Sequence, residues 1–287
     1  MSLTTQPASA RLRLPSADAV MAQAAAENFP VALRVLGSRI CEQLMSIYGF
    51  ARLVDDVGDE AEGDRLALLA LVDQEIAGIY AGEVPEHPLL ARLATTVADC
   101  NLPRGPLERL IQANRQDQLV SRYETFDDLL GYCQLSAAPV GELVLHVFGQ
   151  ATPQRVALSD LVCDGLQVIE HLQDVLEDHA RGRIYLPQED LRRFGCAEAE
   201  LSRRPAVPAL RQVVAFEAAR AAALLQAGTS LTRDLRGRGR LAVAGFVAGG
   251  RSALRGLEQV GYDVSRPRPR RGRLFFAGAL SAVVAGR

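Results

Sequence analysis

Helical periodicity runs through almost the whole chain. Apolar residues recur every three or four positions in segments rich in Ala, Leu, Arg and Glu, and no segment shows the strict alternation of an exposed strand. Proline and glycine separate these segments, for example at Gly82, Pro103 and Pro153. The pattern predicts an all-α fold in which helices enclose a central cavity. The predicted helices lie near 18–36, 39–62, 64–82, 86–100, 105–122, 126–149, 155–182, 206–235 and 240–260.

Composition limits the classes of function. The chain has 287 residues, of which 48% are hydrophobic, which is ample for a substantial core. Its net charge of −2, from 32 basic and 34 acidic residues, gives no reason to expect a nucleic acid partner. The sequence contains no lysine, so any phosphate site must use arginine, whose guanidinium binds phosphate with two hydrogen bonds.

The two ends of the chain differ from its middle. Residues 1–17 are predicted to be a flexible tail, 18–265 a single helical domain, and 266–287 a basic and apolar tail. No secretory signal and no cysteine framework is recognised, so a cytoplasmic location is expected. The apolar part of 266–287 is too short to span a bilayer, which takes about 20 residues. Two interpretations stay open for it, a peripheral anchor on the anionic inner face of a membrane and a last helix packed on the domain.

Two pairs of aspartates stand inside predicted helices. Asp55 and Asp59 are four residues apart, as are Asp174 and Asp178, so each pair lies on one helix face and can offer oxygens to one hard cation. Apolar residues flank both pairs, and carboxylates among core residues need a partner such as a metal ion. About one such pair is expected by chance over this length, so spacing alone leaves metal binding and a solvated charge run open.

A third pair with the same spacing has a different context. Asp160 and Asp164 follow Ser159, which has the character of an N-cap. This pair is therefore predicted to belong to the solvated first turn of a helix.

Neighbouring residues extend the two motifs. Arg52 lies three residues before Asp55 and shares its face, where it can reach a diphosphate or form a salt bridge within the helix. Asp56 and Glu177 flank the motifs and are expected to bond to neighbours. The residues near one face of the second helix, or just after its end, are Gln167, Glu170, Asp174, Asp178, Arg181 and Arg183.

The chain resembles the squalene and phytoene synthases, the head-to-head branch of the isoprenoid synthases, from about residue 18 to 265. The resemblance rests on residues 50–60, 131–141 and 167–187, the last of which ends in Arg-Gly-Arg-x-Tyr-Leu-Pro. Within the family, residues 27–32, 132–141 and 172–174 are most similar to bacterial hydroxysqualene synthases of hopanoid pathways. Gln173 stands where the phytoene and presqualene diphosphate synthases usually have Arg.

The resemblance implies a single-domain isoprenoid synthase bundle and a reaction. Presqualene diphosphate is the implied substrate, Mg²⁺ the cofactor, and no nicotinamide cofactor is expected. Loss of diphosphate gives a cation that rearranges and is captured by water as hydroxysqualene. Enzymes upstream and downstream in squalene and hopanoid biosynthesis are implied as partners.

Family positions also imply residue roles. The matched Mg²⁺ ligands are Asp55, Asp59, Asp174 and Asp178, the residues at the diphosphate or its metal shell are Asn28, Arg52, Gln167, Arg183 and Tyr185, and Tyr132 lies near the reacting centre. Glu170 is a substrate-binding candidate where the family commonly has Asn, and Gly250 falls where it often has an aromatic residue. Candidates for the apolar wall are Phe29, Val140, Leu143, Val144, Val147 and Leu166.

Two alternatives stay open. The first is a relative that condenses two prenyl diphosphates to presqualene diphosphate, dehydrosqualene or phytoene. The second is an inactive, membrane-associated assembly subunit, which Glu170, Gly250 and the basic tail favour and the four aspartates oppose.

Overall fold

A computed structural model describes residues 13–22 and 36–266 and consists of α-helices joined by short loops. The helices are α1 (Ala17–Ala22), α2 (Ser38–Asp59), α3 (Arg65–Ala81), α4 (Pro88–Cys100), α5 (Arg104–Asp117), α6 (Phe126–Ser136), α7 (Ala138–Val147), α8 (Pro153–Ala180), α9 (Gln188–Arg193), α10 (Pro208–Gly228), α11 (Leu231–Asp234) and α12 (Gly237–Gln259). The only β pairing in the described part of the chain is an isolated parallel bridge between Arg122 and Ile184. The prediction of an all-α fold is confirmed.

One predicted helix is divided in two. The segment 126–149 is interrupted at Ala137, where α6 ends and α7 begins. Pro139 explains the break, because it has no N–H to donate to Leu135 and its ring clashes with that carbonyl in a continuous helix. The tighter bond from the Val140 N–H to the Ala137 oxygen, 3.1 Å long, starts the new helix.

A second predicted helix, 206–235, also stops early. Helix α10 ends at Gly228, and the Thr229 hydroxyl donates a 2.6 Å hydrogen bond to the Leu225 carbonyl. The short helix α11 follows after this turn.

Helix α8 forms the axis of the larger core. Val168, Ile169 and Leu172 are buried in a cluster that α10 and α12 complete. Glycines bring α8 and α10 close together, because a Cβ at Gly165 would lie 3.0 Å from the Ala221 carbonyl oxygen. This close packing fixes the helix that carries the second acidic motif.

Helix α2 forms the axis of the second core. Phe50, Leu53, Val54 and Val57 are buried against α3, α4 and α5. The end of α2 is connected to the segment after α8 by a hydrogen bond from Arg183 to Asp59. No helix in residues 13–22 and 36–266 combines the length and apolarity needed to cross a bilayer.

Several predictions fall outside the described residues. These include Asn28, Phe29, residues 1–12 and residues 267–287. The division into a domain and two tails stays a prediction.

Candidate active site

The first acidic motif lies at the end of α2 and contacts α5. Asn114 donates a 3.0 Å hydrogen bond from its amide nitrogen to Asp55 Oδ1. Gly58 makes this approach feasible, because a Cβ there would lie only 2.1 Å from the Asn114 amide oxygen. The Asp55 side chain is exposed to solvent. The many protein atoms around it nevertheless desolvate the carboxylate, which raises its pKa to about 7. The charges of Asp59 and Glu170 act in the same direction.

The second motif lies near the end of α8. Burial, followed by the charge of Asp174, raises the pKa of Asp178 to about 7. Because Glu170 of α8 acts on Asp55 of α2, the acidic faces of the two helices adjoin. The two motifs therefore concentrate negative charge at one end of the bundle.

Arginines after α8 connect the motifs. Arg183 donates a 2.5 Å hydrogen bond to Asp59 Oδ1, and its charge also acts on Asp178. Arg181 lies 3.8 Å from Asp59 Oδ2 and pairs with Glu177 at 3.0 Å. Gly182, with φ of +82°, allows the turn that brings both arginines back over the helix end.

Arg122 holds this loop in place. Its Nη1 donates a 2.7 Å hydrogen bond to the Gly182 carbonyl, and its Nε and Nη2 donate to Glu198 at 2.9 and 3.0 Å. The Ile184 N–H donates to the Ser121 carbonyl at 3.0 Å. The loop that carries Arg183 is thus fixed by the segment before α6.

A buried aromatic cluster lies beside the acidic residues. Tyr132 and Tyr185 donate hydrogen bonds of 2.7 and 3.2 Å to the two oxygens of Asp117. The His171 ring stacks on Tyr185 with a centroid distance of 3.8 Å. Burial lowers the pKa of His171 to about 3, so the ring is neutral near pH 7. Burial raises the pKa of Asp117, and the tyrosine hydrogen bonds oppose that rise.

An apolar cavity of about 310 Å³ lies between α6, α7, α8 and α12. It extends along α8 from Ser159 to Glu170, which spans about 16 Å at 1.5 Å per residue. The residues that line it are Ser136, Ala137, Val140, Gly141, Val144, Ser159, Val162, Cys163, Leu166, Gln167, Glu170, Val243 and Phe246.

The predicted apolar wall is confirmed in part. Val140, Val144 and Leu166 line the cavity. Leu143 and Val147 instead belong to the core beside α2. Gly250 is buried behind the wall, where a Cβ would lie 2.7 Å from Leu166 Cδ2, so the absence of a side chain leaves room for Leu166.

Other predicted residues have partners within the chain. Arg52 pairs with Asp56 at 2.7 Å and with Glu60 at 3.5 Å, the salt bridge that the sequence left open. Glu177 pairs with Arg181, so both flanking acids bond to neighbours as predicted. A diphosphate contact from Arg52 stays a prediction.

The prediction for Asp160 and Asp164 was wrong. Helix α8 begins at Pro153 with Thr152 as its N-cap, so both aspartates lie well inside the helix. Asp164 is only 5% exposed and accepts hydrogen bonds of 3.0 and 3.1 Å from the Gln134 amide. The pair lies inside the helix because the helix starts at Pro153, six residues before Ser159, and Asp164 forms a buried polar contact with Gln134.

Two residues of the site were missed in the sequence. Asn114 and Asp117 continue the apolar face of α5 that Leu107, Leu110 and Ile111 begin. Polar residues at positions that should face the core were the available signal.

The acidic residues fit divalent magnesium. Carboxylate oxygens are hard ligands, and Mg²⁺ is usually held by one or two carboxylates together with substrate phosphates and water. In the described parts of the chain, no three His, Cys, Asp or Glu side chains gather closely enough to hold an ion by themselves. An ion at either motif would therefore complete its coordination with water or with the oxygens of a bound phosphate.

An all-α bundle with two facing aspartate motifs beside an apolar cavity defines an isoprenoid synthase. The squalene/phytoene synthase family profile matches residues 22–274. The chain is 35% identical over 214 residues to the hydroxysqualene synthase of Rhodopseudomonas palustris, covering 73% of this chain and 72% of that protein. It is 36% identical over 204 residues to the hydroxysqualene synthase of Zymomonas mobilis, covering 70% and 68%.

A solved structure agrees with these relatives. The squalene synthase HpnC of Alicyclobacillus acidocaldarius superposes with a TM-score of 0.79 at 38% identity, covering 86% of this chain and 93% of that one. The chain belongs to the squalene/phytoene synthase family, as its motifs predicted.

Proposed function

We propose that this enzyme converts presqualene diphosphate and water to hydroxysqualene and diphosphate in a Mg²⁺-dependent reaction. The observation that carries the proposal is the position of two acidic motifs beside one end of an apolar cavity. The hydroxysqualene synthases among its relatives support the choice of substrate and product.

We assign the diphosphate leaving group to the end of the site that carries the two aspartate motifs. Asp55 and Asp59 on α2, with Asp174 and Asp178 on α8, are the residues that would hold Mg²⁺. Bound Mg²⁺ supplies positive charge that stabilises the departing diphosphate. Arg183, held by Asp59 in the free protein, is close enough to exchange that carboxylate for a phosphate oxygen.

The hydrocarbon part is assigned to the cavity. Val144, Leu166 and Phe246 exclude bulk water from a prenyl chain, which protects a carbocation from early capture. Tyr132 and Tyr185 belong to the aromatic cluster beside the acidic residues, and we assign to their rings the stabilisation of a nearby cation by the aromatic quadrupole. Asp117 fixes both rings through their hydroxyl groups.

The test is product analysis by mass spectrometry. Enzyme, presqualene diphosphate and Mg²⁺, without a nicotinamide cofactor, are expected to give hydroxysqualene and diphosphate, and a chelator should stop the reaction. Farnesyl diphosphate supplied alone tests the condensing alternative in parallel. Unchanged presqualene diphosphate, or condensation of farnesyl diphosphate as the main activity, contradicts the proposal.

The place of the reaction in squalene and hopanoid biosynthesis, and peripheral membrane contact through 266–287, belong to the same proposal. The basic and apolar character of that segment supports it. Deletion of 266–287 is expected to remove binding to anionic liposomes from an otherwise cytoplasmic enzyme. Equal binding by the deletion variant and the full chain contradicts the role of the tail.

A further inference from the structure

The polar groups of the cavity are unevenly distributed. Val140, Val144 and Leu166 make its wall apolar over most of its length. A water molecule held in such a cavity needs two to four polar partners. The positions of the few polar lining residues therefore determine where a single water can be bound.

One polar pair lies deep in the cavity and is satisfied internally. Ser159 and Cys163 are one turn apart on α8, with Oγ and Sγ 4.0 Å apart. Gly141 of α7 packs on them, because a Cβ there would lie 2.3 Å from Ser159 Oγ and 2.6 Å from Cys163 Sγ. This contact leaves little room for a water at that end.

The other polar groups lie towards the acidic site. Gln167 and Glu170 line the cavity on α8, one turn apart. Because α7 and α8 form a short hairpin and Gly141 faces Ser159, Ser136 lies further along the cavity, towards Glu170. The charge of Glu170 acts on Asp55, which places this carboxylate at the boundary between the cavity and the acidic motifs.

The orientation of the Gln167 side chain is fixed by a contact with His171, one turn further along α8. Its amide nitrogen lies 3.3 Å from His171 Nε2. When the ring proton is on His171 Nδ1, the nitrogen that lies 4.0 Å from Asp178 Oδ2, Nε2 accepts a hydrogen bond from the Gln167 amide. The Gln167 carbonyl oxygen is then the part of the side chain left for a ligand in the cavity.

We propose that Ser136, Gln167 and Glu170 bind the water molecule that captures the carbocation. The inference rests on the proposed function. The Gln167 carbonyl accepts one hydrogen bond from the water, and the Ser136 hydroxyl, which donates to the Tyr132 carbonyl at 3.2 Å in the free protein, turns to donate to the water oxygen beside the cation. An oxygen lone pair forms the new C–O bond, one O–H bond breaks, and the proton passes to the Glu170 carboxylate.

Glu170 accounts for the choice of capture over other fates of the cation. Its carboxylate lines the cavity and its charge acts on Asp55, so it can stabilise positive charge in the cavity and accept the proton as the C–O bond forms. A cation that meets no water loses a proton from an adjacent carbon and leaves as a hydrocarbon. The ratio of alcohol to hydrocarbon therefore reports on the water site independently of the overall rate.

The experiment measures this ratio with presqualene diphosphate and Mg²⁺ in ¹⁸O-labelled water. The variants are Glu170→Gln, Gln167→Leu and Ser136→Ala, and Gln154→Leu is the matched control because Gln154 is exposed on the same helix. Glu170→Gln and Gln167→Leu are expected to lower the alcohol to hydrocarbon ratio by about tenfold or more. Ser136→Ala is expected to lower it less, and Gln154→Leu to leave it unchanged.

The outcomes separate the two proposals. A wild-type enzyme that forms no ¹⁸O-labelled hydroxysqualene overturns the proposed function. A wild-type enzyme that forms it, with an unchanged ratio in the cavity variants, overturns only the water site. If Glu170→Gln stops turnover, the ratio is read from Glu170→Asp and Ser136→Ala, and wild-type ratios in both of them contradict the inference.

Discussion

Helix α8 carries two aspartate pairs of identical spacing in different surroundings. Asp160 and Asp164 precede Asp174 and Asp178 by fourteen residues, which places them on nearly the same helix face about 21 Å away. Asp164 accepts both of its hydrogen bonds from Gln134. The other pair faces an acidic motif on another helix and the arginines that follow α8.

The surroundings, rather than the spacing, separate the two pairs. Within the protein, the Gln134 amide donates to Asp164, and the charge of Arg109 acts on Asp160 against that of Glu142. The second pair adds to the charge of Asp55 and Asp59, which Arg52, Arg181 and Arg183 offset in part. Excess negative charge of this kind suits a cationic ligand.

The largest difference between the two aspartate pairs is expected in the effect of their substitution on catalysis. Asp178→Asn should lower kcat/KM for presqualene diphosphate by about 10²–10³-fold, because a group that stabilises developing charge is lost. Asp164→Asn is the matched control and should keep kcat/KM close to the wild-type value. Diphosphate release measures both variants. Equal losses of kcat/KM in the two variants would contradict a functional difference between the two aspartate pairs.

The next difference concerns ligand binding. Mg²⁺ with inorganic diphosphate should raise the thermal midpoint of the wild type and of Asp164→Asn. A ligand at 100 times its Kd stabilises a protein by about 2.7 kcal/mol. Asp178→Asn should show a smaller shift at the same concentrations, measured by differential scanning fluorimetry. A full shift in Asp178→Asn contradicts the assignment of Asp178.

Substitutions of the arginines near the two pairs should also differ in their effects on activity and stability. Arg183→Gln should lower kcat/KM by about 10-fold to 100-fold, the value of one charged hydrogen bond, with a small change in stability. Arg109→Gln leaves Glu142 without its partner and should cost about 1–2 kcal/mol of unfolding free energy while activity per folded molecule is kept. Urea unfolding and steady-state kinetics together test this pair. Loss of activity without loss of stability in Arg109→Gln is the contrary result.

The last difference is expected in the pH dependence of stability. Burial raises the pKa of Asp164 from 3.8 to about 7, so the folded state holds a proton that the unfolded state has released. The unfolding free energy therefore falls as pH rises between these values, by at most about 1.4 kcal/mol per pH unit from this residue. Asp164→Asn should have a shallower slope over this range. Parallel slopes for the two proteins contradict a protonated Asp164.

Much of the fold could be predicted because each signal is local. Apolar periodicity located the long helices, and Pro153 and Pro208 stand at the start of α8 and α10. The division at Ala137 was missed, although Pro139 is visible in the sequence, because a proline is compatible with a kinked helix as well as with a new one.

The site was less predictable because it depends on contacts between helices. The spacing of Asp174 and Asp178 was readable, but spacing could not show that Asp164 faces Gln134 instead of solvent. Asp117 escaped notice because its role appears only when Tyr132 and Tyr185 meet on its two oxygens.

The most direct test of the metal site is diffraction from crystals of the full chain grown with Mn²⁺ and inorganic diphosphate, measured for the anomalous signal of manganese. Mn²⁺ is expected to be bound by Asp55 or Asp59 and by Asp174 or Asp178, with diphosphate between the two motifs and Arg183 on a phosphate oxygen. No Mn²⁺ is expected at Asp160 and Asp164. Manganese at that pair, or an empty site at both acidic motifs under saturating ligand, would contradict the assignment of the two motifs.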